Sequence, residues 1–131
     1  MALSPFKQRL IAAAWTEHLL WTNGAQRYAE TDPAVTGRMQ AYWQAVGRNY
    51  SAATIQDVNV HVGPDRWMYW SAAFICYLFQ IAGAGPQWTY AVSHIAYLRA
   101  AKANWLRDGA LYPFQAYPVS MLPIEPGDVL V

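Results

Sequence analysis

The stretch WSAAFICYLFQIAG, residues 70–83, limits the possible folds more than any other part of the chain. A helix over about 71–82 puts Phe74, Ile75, Tyr77, Leu78, Phe79 and Ile81 all round its axis instead of along one stripe. That is the pattern of a helix enclosed by protein on several sides. Gly83 ends it, and the polar residue at its start, Ser71, needs an explanation.

The rest of the chain must supply what packs on this helix. A first helix is predicted over about 5–21, with Leu10, Ile11, Ala14, Trp15, His18 and Leu19 as its inner face, and Asn23-Gly24 as its stop. Asp32-Pro33 pairs a good N-cap with the residue best suited to the first helical position. It opens a second helix over 33–46, whose stripe is Val35, Met39, Tyr42 and Val46, with Gly47 just past its end. Residues 48–68 read as irregular, since the alternation of Ile55, Val58, Val60 and Val62 stops at Gly63-Pro64. A fourth helix is expected over 92–107, capped by Ser93, with Ile95, Leu98, Ala101 and Trp105 inside. Residues 108–126 contain four prolines and form an extended connector. PGDVLV then reads as a turn and a strand over 128–131. An apolar strand calls for neighbours. Either the segment around Ile55 to Val62 pairs with it, or the rest of the sheet lies outside this polypeptide, which is the favoured reading.

Composition narrows the class. A chain of 131 residues is one domain, able to bury roughly 65–70% of its unfolded surface without disulfides. Nine basic and eight acidic residues, net +1, give no stripe that would track phosphates, which argues against nucleic acid or an anionic membrane as partner. No run approaches the roughly 18–20 apolar residues of a membrane span. Seven tryptophans and nine tyrosines in a chain only 13% charged fit either a core of large side chains or a groove that stacks on sugar or peptide. Cys76 is the sole cysteine, which excludes an intramolecular disulfide and a cysteine-based zinc site. His18, His61 and His94 lack the HxH or HExxH spacing of ligands, so no metal or other cofactor is expected.

WSAAFICYLFQIAGAG at 70–85, SHIAYLRAA at 93–101 and PGDVLV at 126–131, with AYWQAVG at 41–47 ahead of them, resemble the bacterial domain of unknown function 2272 family. That family is related to the NlpC-like papain-fold hydrolases and the CHAP amidases. The resemblance covers the chain from about Met39 onward. It implies an α+β, papain-like domain, with residues 1–131 holding mainly the helical half and the first core strand of a longer unit.

In the related amidases the motif reads tryptophan-cysteine-alanine-alanine-phenylalanine, and the cysteine is the nucleophile. Ser71 occupies that position here. A helix start suits a nucleophile because the macrodipole and free N–H groups there stabilise developing negative charge. A serine must also lose its proton to a positioned base during attack. The relatives' base is a histidine on a strand after the PGD strand, oriented by a polar residue on the next one, and neither has a matching position in this sequence. His94, inside the SHIAY match, is the candidate base, its alternative being a structural histidine. Asp65, Arg66, Tyr69, Trp70, Tyr90 and Ser93 are expected to border the same cleft, with Tyr69, Trp70, Tyr90 and Ser93 as substrate-binding candidates. Ser71 has an alternative as a plain N-cap, with Trp70 and Ile75 as a hydrophobic staple. Cys76, about 500° of rotation further along the helix, faces away from Ser71 and into the core.

The activity so implied is a cell-wall (peptidoglycan) amidase or peptidase-like hydrolase of the envelope or periplasm, with peptidoglycan peptide as partner. The alternative is a non-catalytic binding module, or an assembly partner whose sheet is completed by a C-terminal half of the same protein or by a second chain.

Overall fold

The computed structural model describes residues 2–57 and 69–131. The element order is α1 (Pro5–Leu20), β1 (Thr22–Asn23), β2 (Gln26–Arg27), α2 (Pro33–Ala45), α3 (Ala52–Gln56), α4 (Ser71–Ile81) and α5 (His94–Asp108), with 3-10 turns at Gly85–Gln87 and Gly109–Leu111. The fold is helix-rich α+β, its sheet a two-stranded antiparallel hairpin in which Thr22 pairs with Arg27 and Asn23 with Gln26.

Asn23-Gly24 is part of that hairpin and not merely a helix stop. Gly24 takes a φ of 62°, which a tight turn demands and a residue with a Cβ resists. The start of α2 is as the sequence predicts: the Asp32 carboxylate accepts from the Ala34 N–H at 2.9 Å, and Pro33 is the first helical residue. Val35, Met39 and Tyr42 are buried. Within the segment read as irregular, Ser51 caps the short α3 and Ile55 is buried on it, so Ile55 is helical and not part of a strand.

α4 occupies the centre. One side packs Ala72, Cys76 and Phe79 against Leu10 of α1, Tyr97 of α5 and Trp88. The other packs Ala73 against Met39, Tyr42 and Trp43 of α2 and Ile55 of α3. Ile81, expected to be enclosed, is 56% exposed at the helix end. There the Arg9 guanidinium donates to the Ala82 carbonyl at 2.7 Å, satisfying an acceptor that the helix cannot.

Two inner faces differ from the expected ones. α1 buries Leu10 and Glu17, with Phe6, Ala13 and Ala14 packed partly against the core, whereas Trp15 is 63% and Leu19 55% exposed. The helix is turned because Arg38 and Tyr42 draw the Glu17 carboxylate inward and Phe6 meets Phe79 edge-on at 5.4 Å. α5 buries Tyr97 and Ala101 and leaves Ile95 exposed, because Tyr97 lies against Trp88, with 4.9 Å between ring centroids.

The connector expected over 108–126 begins later, since Asp108 still belongs to α5 and Gly109–Leu111 is a 3-10 turn; residues 112–131 run without helix or strand and are fixed to the helices by a few contacts. The Ala116 N–H donates to the Ala101 carbonyl at 3.1 Å, and Phe114 joins Phe6, Phe79 and Trp88. Lys7 reaches Glu125 at 3.1 Å and Asp128 at 2.8 Å. Burial works against ionisation of Asp128, but the Lys7 ammonium and the Glu125 N–H outweigh it and hold the carboxyl below its usual range. The expected strand over 128–131 is not formed among the described residues: the backbone there has no ladder partner. An apolar run of strand-forming residues is not enough, because a strand also requires a second backbone to pair with.

Candidate functional site

Ser71 is the first residue of α4, and Trp70, not Ser71, is its N-cap. The capping alternative for Ser71 is thereby corrected, since its Oγ lies 2.8 Å from Nε2 of His94 and not over the first-turn N–H groups of its own helix. The first α4 amide that bonds back is that of Phe74, to the Trp70 carbonyl at 2.8 Å. The N–H groups of Ser71, Ala72 and Ala73 precede the intrahelical ladder and lie where negative charge is stabilised.

His94 is the first residue of α5, so two helix starts meet at this point. Its other ring nitrogen, Nδ1, is hydrogen-bonded to the Tyr97 hydroxyl. A serine, a histidine and a tyrosine thus form one chain running from solvent into the core: Ser71 is exposed, His94 half-buried and Tyr97 only 2% exposed. Burial, followed by the nearby Cys76, pushes the Tyr97 hydroxyl up to about 12, so it stays neutral at ordinary pH. A neutral hydroxyl can orient an imidazole, but it stabilises an imidazolium less than a carboxylate would.

The other candidates fall in different places. Trp70 is half-buried, stacked on Trp21 at 5.1 Å and on Tyr42 at 5.7 Å. Tyr69 is 66% exposed beside Ser71. Ser93 is exposed as N-cap of α5, without a capping bond from its side chain. Tyr90 is half-buried, and burial together with Cys76 raises its hydroxyl above the usual range. His18 is exposed and packs by its ring on Trp15 at 5.2 Å. His61, Asp65 and Arg66 lie outside the described residues.

Cys76 is fully buried, as its rotation from Ser71 predicts. Its sulfur accepts from the Ala91 N–H at 3.4 Å and lies 3.5 Å from the Ala91 carbonyl oxygen. It pins the segment leading to His94 onto α4. Alkylation by iodoacetamide in native buffer should be on the order of 100-fold or more slower than in urea, read by mass spectrometry, because the thiol reacts only when the segment opens.

A model of one protein family matches residues 13–131, nearly the whole chain, and is described as an uncharacterized protein conserved in bacteria (DUF2272). The chain belongs to the DUF2272 family. No curated protein and no solved structure matches it. In this DUF2272 chain, sequence reasoning passes over Tyr97. Its signal is the three-residue spacing within SHIAY, which stacks the side chain on the same helix face as His94. Among the described residues no cluster of three or more acidic, histidine or cysteine side chains could hold a metal, and no helix is long and apolar enough to cross a membrane.

Proposed function

We propose that this protein is a serine hydrolase of the papain-like kind, cleaving an amide bond in cell-wall peptide, with Ser71 as nucleophile and His94 as general base. The observation that carries the reading is the 2.8 Å approach of Ser71 Oγ to His94 Nε2 at the exposed start of a buried helix. It agrees with the position of the nucleophile in the NlpC-like and CHAP amidases that the WSAAF motif resembles.

With Nδ1 protonated and donating to Tyr97, Nε2 is free to take the Ser71 proton as Oγ attacks the carbonyl carbon. The oxyanion forms beside the N–H groups of the first turn of α4. His94 then delivers that proton to the leaving amine, and water, deprotonated by the same nitrogen, releases the acyl group from Ser71.

A second reading is favoured by the buried, neutral Tyr97 hydroxyl. If that hydroxyl donates to Nδ1, the proton of His94 sits on Nε2 and donates to Ser71, which makes a fixed polar contact in a binding module. The 15N resonances of the His94 ring separate the two tautomers.

Purified peptidoglycan and a fluorophosphonate, an electrophile for activated serines, test the hydrolytic reading. Wild type should release peptide fragments and label at Ser71, Ser71→Ala should do neither, and His94→Ala should be about 10²–10⁴-fold slower. Equal products from wild type and Ser71→Ala, or none from either, sink it.

A further inference from the structure

We infer that Tyr42 is a positioning residue for the Ser71 and His94 pair, acting through Trp21 and Trp70; the inference rests on that pair as the functional centre. The start of α4 lacks a side-chain cap on Trp70, and Ser71 is exposed, so neither fixes where Oγ sits. Trp70, the residue before it, is held by its ring. The indole lies nearly parallel to Trp21 (10° between planes, centroids 5.1 Å apart) and close to parallel to Tyr42 (24°, 5.7 Å), with Phe74 edge-on at 5.8 Å.

Both stacking partners are in turn fixed by one hydroxyl. Trp21 Nε1 donates to Tyr42 Oη at 2.7 Å, and Tyr42 Oη donates to the buried Glu17 carboxylate. Arg38 holds that carboxylate from the other side. The Tyr42 hydroxyl is therefore the point where the ring contacts acquire a fixed angle. Removing it leaves the rings in place but frees Trp21 to rotate, and the helix start that carries Ser71 loses its reference.

Arg38 offers an internal control. It also donates to the Tyr77 hydroxyl at 2.7 Å, and the Tyr77 ring lies 5.1 Å from that of Tyr42. Tyr77→Phe removes a hydroxyl from the same cluster without touching the Trp21 bond. In the whole protein, the displacement of the His94 Nε2 15N resonance caused by Ser71, measured as the difference from Ser71→Ala, should fall by at least about two-fold in Tyr42→Phe and remain in Tyr77→Phe. Fluorophosphonate labelling of Ser71 should slow about ten-fold in Tyr42→Phe, the size of effect that loosened orientation produces. If Tyr42→Phe does not fold, Trp21→Phe, which keeps the Tyr42 bond to Glu17, carries the same expectation.

An unchanged resonance in Tyr42→Phe, or equal changes in the two tyrosine variants, overturns the inference. So does a wild type without any Ser71-dependent displacement. A wild type that shows the resonance pattern but never labels would refute the hydrolytic reading and leave the positioning role standing. Labelling of Ser71 that proceeds at the same rate in wild type and Tyr42→Phe would do the reverse.

Discussion

Replacing Arg38 by methionine should lower the free energy of unfolding by about 3–5 kcal/mol, the usual result of leaving a buried charge without its partner. The Glu17 side chain is only 4% exposed, and its oxygens accept from Arg38 Nε at 3.2 Å, from Arg38 Nη2 and from the Tyr42 hydroxyl. Methionine keeps much of the packing volume and none of the charge, so the loss reports electrostatics more than a cavity. Urea denaturation should show a lower midpoint with an unchanged slope. The double variant Glu17→Leu with Arg38→Met should recover a substantial part of the loss, because it removes both charges from the interior. A single variant within about 1 kcal/mol of wild type would mean that the carboxylate is not buried as described.

A comparable loss, about 3–5 kcal/mol, is expected for Phe79→Ala. The Phe79 ring is 6% exposed and lies 3.8 Å from Trp88, 5.4 Å from Phe6 and 5.6 Å from Phe114, centroid to centroid. Its contacts join α4 to α1, to the turn that ends at Trp88 and to the extended segment beyond α5. Truncation leaves a void that four separate pieces of chain border, and they cannot all close on it. The melting temperature should fall by roughly 10–20 °C. Phe79→Leu, close to it in size, should cost less than about 1.5 kcal/mol. Scanning calorimetry on the two variants decides whether the ring cluster or only its hydrophobic volume holds the domain together.

What the sequence discloses here depends on how local the cause is. Asp32 caps α2 through an amide two residues away, and Gly83, at φ 86°, ends α4 by its own conformational freedom. Both are legible because neither needs a distant partner. The inner face of α1 is not, because Ile11, Trp15 and Leu19 form the more apolar stripe, and it takes distant partners to reverse the choice: Arg38 and Tyr42, 21 and 25 residues beyond Glu17, and Phe79 against Phe6. The candidate site follows the same division. Ser71 and His94 can each be picked from their motifs, and the Tyr97 partnership lies within one helical turn. The brace behind Trp70 joins residues of α2 to the end of α1, which no spacing rule connects.

The Lys7 contacts with Glu125 and Asp128 have a consequence for the order of folding. Lys7 and Glu125 are 118 residues apart, and Arg9 meets the Ala82 carbonyl across 73. Contacts of such long sequence separation incur loop closure before they return any stabilisation, and they slow folding accordingly. α2, α3 and α4 meet across shorter stretches and can condense first. α1 leaves the ribosome ahead of nearly everything it packs on, and must wait, with Phe6 and Leu10 uncovered, until α4 and then the 112–131 segment follow. Until α4 has emerged, the α1 segment has no core to cover Phe6 and Leu10, which makes it a natural hold for a chaperone.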